Sequence, residues 1–293
     1  MKRASHVFEL IGETPMVRIN KMSPNPNVEI YAKLEGFNPM GSLKDRIALR
    51  MIEKAEEEGK LTKDKVILEA TSGNTGISIA WVAALKGYKC VIVLPKSVSD
   101  ERKKIMRALG AKLLFVSTET EAIKTAREKA KNTQYFLTDQ FANEMNWKTH
   151  YETTGEEIWK QTEGKITHFV AGIGTSGTIM GVARKLKELK KDIQIVGVQP
   201  SRSGSRQQGL LNLHDFCPEI CKHDEVDEMI MVDDEDAFRT ARELLLKEGL
   251  FVGVSSGSTM WGAIQKAKEI KHGLIVTIFG DHGFKYLSTN LFG

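Results

Sequence analysis

Along most of the chain, short apolar runs alternate with segments whose apolar residues recur at helical spacing. Runs at 66–68, 90–94, 112–116, 167–170, 195–198 and 274–279 predict strands. Between them, 77–85, 100–109, 119–131, 178–189, 235–247 and 259–270 read as helices. Several of these patterns end on Gly87, Gly110, Gly249 or Gly273, where a left-handed residue closes a helix most easily. The alternation predicts an α/β fold of open, mostly parallel sheets with helices on both faces. Two sheets are expected, because the rhythm breaks after Gln140, with Asn143, Asn146 and Trp147, before a long helical pattern at 148–161. A smaller N-terminal α/β domain is therefore placed at 35–145. The larger domain combines 1–34 with 146–293, the segment 15–32 returning to the C-terminal sheet.

Length and composition agree with this. The 293 residues, 41% hydrophobic and 27% charged, suffice for two domains and are ordinary for a soluble enzyme-sized chain. A net charge of +4 with no Lys/Arg stripe argues against nucleic acid as a partner. The basic start Met1-Lys2-Arg3-Ala4-Ser5-His6 is not followed by an apolar run, so neither secretion nor a membrane span is expected, and the cytoplasm is the expected location. Three cysteines make no disulfide framework. Cys90 opens an apolar run and reads as a buried strand residue. His214, Cys217, Cys221 and His223 carry ligand-type side chains, but their spacing matches no common zinc pattern and Pro218 intervenes. They read as a surface excursion, and no metal is expected. Trp81 and Trp261 lie on helical patterns and read as packing.

Three turns rich in Gly, Ser and Thr follow predicted strands, where open α/β sheets bind ligands. They are Thr71-Ser72-Gly73-Asn74-Thr75-Gly76, Gly172-Ile173-Gly174-Thr175-Ser176-Gly177-Thr178 and Gly253-Val254-Ser255-Ser256-Gly257. The first could simply cap a helix. The second opens a helix and offers many backbone N–H groups, the makings of a phosphate site. It also spells G-x-G-x-x-G, but the next strand ends Val198-Gln199-Pro200, without the acid a dinucleotide ribose requires. Lys44 falls in the first turn of a helix that Ser42 can cap. The dipole there opposes a cation, and with partial burial it lowers an amine's pKa toward the neutral nucleophile.

The run Asn38-Pro39-Met40-Gly41-Ser42-Leu43-Lys44-Asp45-Arg46, the three turns in their order, Gln140-Phe141, Thr153-Thr154-Gly155-Glu156-Glu157-Ile158-Trp159 and the closing Gly280-Asp281-His282-Gly283-Phe284-Lys285-Tyr286-Leu287-Ser288-Thr289 resemble the cysteine synthase (O-acetylserine sulfhydrylase) family. The likeness runs from about Ile11 to the last residue and is nearest the isozyme B branch. It implies pyridoxal 5′-phosphate (PLP, fold type II) in a cleft between the domains, a mobile smaller domain carrying the substrate loop, and a homodimer. Lys44 would carry the cofactor as a Schiff base and then move the substrate's Cα proton. Asn74 would bond the PLP 3′-oxygen, Gly174, Thr175, Ser176, Gly177 and Thr178 would cradle the phosphate, and Ser255 would face the pyridine nitrogen. Thr71, Ser72, Asn74, Thr75 and Gln140 would gather around the amino-acid carboxylate.

A neutral hydroxyl at the ring nitrogen stabilises a carbanion less than a carboxylate would, which favours prompt loss of a leaving group from Cβ. The implied reaction is β-replacement through an aminoacrylate, most simply O-acetylserine plus sulfide giving cysteine. Cystathionine β-synthase-like, serine dehydratase and sulfide-releasing, serine-forming activities are the alternatives within the family. A binding module for a nucleotide or a partner peptide is the alternative outside it, and relatives bind the C-terminal peptide of serine acetyltransferase. Two departures bear on the second substrate. Leu211 and Asn212 stand where isozyme B relatives carry arginines, and Asp233, after a strand at 229–232, could orient water if it reached the cleft; otherwise it and Asp234 cap a helix.

Overall fold

The computed structural model describes residues 3–293; Met1 and Lys2, which open the basic N-terminal hexapeptide, lie outside the described residues. Among the described residues, ten strands form two sheets. The first four are β1 (Met16–Ile19), β2 (Val28–Leu34), β3 (Val66–Ala70) and β4 (Lys89–Pro95). Then come β5 (Lys112–Val116), β6 (Tyr135–Leu137), β7 (His168–Gly172), β8 (Gln194–Pro200), β9 (Glu228–Val232) and β10 (Gly273–Phe279). One sheet has the order β1-β2-β10-β7-β8-β9, the other β5-β4-β3-β6. Every pairing is parallel except β1 with β2.

Helices cover both faces of both sheets, and the strand pleat decides which residue meets which helix. In the small sheet, Ile67, Cys90, Ile92 and Leu94 pack against α1 (Lys44–Glu57), α2 (Asn74–Lys86) and Met106 of α3 (Asp100–Ala108). Leu68, Ala70, Val91 and Val93 face α4 (Glu119–Lys129) on the other side. In the large sheet, Phe169, Ala171 and Ile195 turn toward the face of α6 (Gly155–Gln161, preceded by the short α5, Met145–Thr149) and α7 (Gly177–Leu189). Val170, Val196 and Val198 turn toward α8 (Asp234–Glu243) and α9 (Val254–Glu269). Trp81 is buried and Trp261 half-buried within these layers, as packing residues.

The strand β6, only three residues long and too short to show alternation, is not among the expected strands. Two local readings need correction. The turn 253–257 is not a loop: α9 starts at Val254, so Ser255 stands in its first turn. Polar and glycine residues hide this start because they face a ligand cavity rather than core. The long pattern at 148–161 is broken by a π-helical turn, His150–Thr154. No helix among the described residues is long and apolar enough to cross a membrane.

A buried ionic cluster joins α1 to the large sheet. Arg46 donates to both oxygens of Glu35 at 2.7 and 2.9 Å and to both of Glu157 at 2.6 and 2.8 Å. Lys33 lies 2.8 Å from Glu157. Burial alone would raise the Glu157 pKa, but Arg46 and Lys33 hold it down at about 2. Removing one partner strands buried charge, so Arg46→Met should lower stability by about 3–5 kcal/mol, read from the urea midpoint. Glu157 titrates lower in the folded chain than its ordinary value near 4.5. Its contribution is therefore full above that value and fades as pH falls toward 2, and Arg46→Met should flatten this acid-induced loss.

Candidate active site

One cavity opens at the carboxyl ends of β3, β7 and β10, lined from both sheets. Lys44 enters it from the start of α1. The chain reaches that point through Gly41, whose φ of +74° is easy only for glycine, and Ser42, whose hydroxyl accepts from the Lys44 N–H at 3.3 Å. Leu43 donates its N–H to Gly280 O at 3.0 Å, fastening this turn to the end of β10. Asp45 locks it from behind, accepting from Met40 N and Ser78 Oγ, each at 2.6 Å. Burial pushes the Lys44 amine down to about 8, against the opposing pull of Asp281. On the order of a tenth of it is then neutral at pH 7, far more than for an ordinary lysine.

The turn after β3 leads into α2. Thr71, Ser72, Asn74 and Thr75 all line the cavity, beside Gln140. Thr75 donates to the Gln140 side-chain oxygen at 2.6 Å, and Gln140 Nε2 donates to Ala70 O at 2.9 Å, so the two segments form one surface. The free N–H groups of the α2 N-terminus make this a place for a carboxylate.

The turn after β7 has the shape of a phosphate cradle. A Cβ on Gly174 would stand 2.3 Å from Gly209 O, and one on Gly177 only 1.9 Å from Asn146 Oδ1. Only glycine lets the turn lie this close. Ser176, at φ +70°, holds a buried hydroxyl with no protein partner, a donor waiting for an acceptor. Thr178 meets the Nε2 of His150 at 3.2 Å; burial and the charges of Arg46 and Lys44 push that imidazole down to about 3, so it stays neutral. Asn146 Nδ2 ties Thr175 Oγ1 at 2.9 Å to Gln140 O at 2.7 Å. Ser255 supplies a neutral hydroxyl to the same cavity, and Glu119 is the one acid among the described lining residues, held by Ser72 at 3.1 Å. A phosphorylated aromatic aldehyde, bound through an amine, a helix N-terminus and a neutral ring-nitrogen partner, fits these donors.

Residues 7–281 match the family model described as pyridoxal-phosphate dependent enzyme. A cysteine synthase of Aquifex aeolicus is 46% identical, the match covering 99% of this chain and 93% of that one. Cysteine synthase B of Escherichia coli is also 46% identical, over 99% and 96%. The chain belongs to the cysteine synthase family of PLP-dependent enzymes. Among solved structures, a hydrogen sulfide-producing enzyme from Fusobacterium nucleatum superposes with a TM-score of 0.92 at 42% identity, over 97% of this chain and 100% of that one.

Not every residue singled out from this family's pattern reaches the cavity. Leu211 lines it, but Asn212 is buried elsewhere with its Nδ2 on Pro200 O at 3.0 Å. Asp233 is exposed ahead of α8 and takes a hydrogen bond from Ser201; it is not among the lining residues. Its neighbour Asp234 is the buried one. It accepts from Ser205 Oγ at 2.5 Å, Arg206 N at 3.2 Å and Gln207 Nε2 at 3.1 Å, shaping the loop that brings Gln208–Leu211 to the cavity. Sequence reasoning missed Arg102 and Glu119, charged groups outside any glycine-rich turn, and left Asp281, at the end of a strand pattern, unassigned between the cleft and a turn; it lies behind the lining residues. For Arg102, a cation with only polar neighbours in sequence, no signal marked burial.

The lowered Lys44 pKa can be read directly. In protein freed of PLP, acylation of Lys44 by a small anhydride, followed by peptide mass spectrometry, should rise with pH and level off above about 8. A rate still climbing through pH 10, as for an exposed lysine, would contradict the burial argument.

Proposed function

We propose that the chain catalyses β-replacement on a serine-type amino acid, O-acetylserine and hydrogen sulfide giving cysteine and acetate. The observation that carries this is the meeting, in one cavity, of a buried amine held near neutrality, a phosphate cradle and a carboxylate-binding turn. When bound, PLP supplies an electron sink that makes the substrate's Cα proton removable and its Cβ substituent a leaving group. Lys44 Nζ would hold the cofactor and then take up the Cα proton. Gly174, Thr175, Ser176, Gly177 and Thr178 would bind its phosphate, and Asn74 its 3′-oxygen. Ser255 would meet the ring nitrogen with a neutral hydroxyl, which would keep the sink shallow and favour elimination at Cβ.

Thr71, Ser72, Asn74, Thr75 and Gln140 bind and orient the substrate carboxylate, placing Cα beside Lys44. Leu211 gives the mouth an apolar wall, which suits small sulfide better than a bulky anionic donor. A homodimer in the cytoplasm, a mobile unit at 35–145 and capture of a serine acetyltransferase C-terminal peptide by the carboxylate turn belong to the same proposal.

The reverse use, releasing sulfide from cysteine, is favoured by the likeness to the Fusobacterium enzyme. Water orientation by Asp233 is not part of it, given that residue's exposed position. Product identification with O-acetylserine plus sulfide, serine plus sulfide, and cysteine alone separates the readings. Cysteine from the first mixture as the fastest reaction is expected, and faster formation of serine and sulfide from cysteine alone would overturn the synthetic direction. Lys44→Ala should lower product formation at least about a thousandfold while protein yield and fold are kept.

A further inference from the structure

We propose that Cys217, Cys221 and His223 form a zinc site on the loop joining β8 to β9, separate from the catalytic cavity. Their linear spacing hides it, but the fold brings their ligand atoms together, all within 4.8 Å of one another. Cys217 Sγ and His223 Nε2 are 3.5 Å apart. Bonds of about 2.3 Å to sulfur and 2.0–2.1 Å to nitrogen at tetrahedral angles give an edge of about 3.5 Å, so one ion fits this pair without rearrangement.

Pro218 closes the geometry rather than spoiling it. Cys221 donates its N–H to Pro218 O at 3.0 Å, a tight turn that returns the second cysteine to the first. A single 3₁₀ turn, His223–Glu225, then swings the imidazole back. The loop is held on α7 and α4 from outside. Arg184 grips both oxygens of Glu225 at 2.7 and 2.8 Å, Lys222 N meets Met180 Sδ at 3.3 Å, and Arg127 pairs with Glu219 at 2.8 Å. Ligands fixed by such contacts lose little freedom on binding.

Cys221 is buried, whereas Cys217 and His223 are exposed, which leaves an entry path and a fourth position for water. Two thiolates and an imidazole favour zinc over magnesium or calcium. Ser176, whose buried hydroxyl has no hydrogen-bond partner in the protein, lies beside Cys221. Because Ser176 also belongs to the phosphate cradle, a metal here would brace the cradle and the loop carrying Gln208–Leu211 together. None of the three ligands lines the cavity, so the site is not used in the β-replacement chemistry.

The test uses reduced, full-length holoenzyme incubated with zinc chloride, desalted and analysed for metal. About one zinc per chain should be retained. Retention should fall at least tenfold in Cys217→Ser and in His223→Ala, both surface changes, with the cofactor's visible absorption unchanged as the check of folding. Alkylation of Cys217 should slow at least tenfold when zinc is present. Equal zinc retention by parent and variants, or undiminished alkylation, overturns the site. So does a Cys217–Cys221 disulfide that forms in air as fast with zinc as without.

Discussion

Much of this structure hangs on one buried carboxylate. Asp281 follows β10, in the middle of the large sheet, and accepts hydrogen bonds from Asn74 Nδ2 at 2.7 Å and Tyr286 Oη at 3.0 Å. Arg102 of α3 reaches it at 3.5 Å, and Ser42 pairs with it as an isolated bridge. These contacts bind the Lys44 turn, the Asn74 turn and a small-sheet helix to one strand end. A Cβ on Gly253 would stand 2.1 Å from Asp281 Oδ1, so the start of α9, with Ser255, is also set by this group. Unpaired, such a charge would be expensive; with these partners it holds three cavity-lining segments in register.

The same neighbourhood sets the electrostatics of the amine. Burial lowers both Lys44 and Lys285 to about 8, and Asp281 opposes the shift in each. Lys285 uses its protons on Met40 O at 2.8 Å, Gly41 O at 3.1 Å and Asn74 Oδ1 at 2.9 Å, bracing the turn before Lys44. Two buried lysines near Asp281 thus do different work. The one with three acceptors is structural, and the one facing the cavity is free to react.

The loop between β8 and β9 shows how a polar segment gains order without a core of its own. Asp234 organises its first half through backbone and side-chain donors, and α7 anchors its second half through Arg184 and Met180. That places Gln208–Leu211 in the cavity wall and gathers Cys217, Cys221 and His223 outside it.

What the sequence by itself determined is the part written in local pattern. Strand and helix periods give the α/β class, because a buried pleat and a helix face each leave a fixed apolar spacing. Glycines at 174 and 177 mark a turn whose backbone must lie close to its surroundings, and Lys44 in the first turn of a helix marks an amine with a disturbed pKa. The tertiary structure alone decided which charged groups share a space. Nothing near Arg102 or Asp234 in sequence announces that each will be buried against partners far along the chain, and the strand end before Asp281 places that residue near the cleft without naming its partners. The exposed placement of Asp233 beside the buried Asp234 is of the same kind, since adjacent residues at a helix start point in different directions. Convergence of Cys217, Cys221 and His223 likewise depends on a turn and on anchors from α7. Local periodicity reports burial on one element; pairing of charges and ligands depends on how several elements pack, and that is settled only in three dimensions.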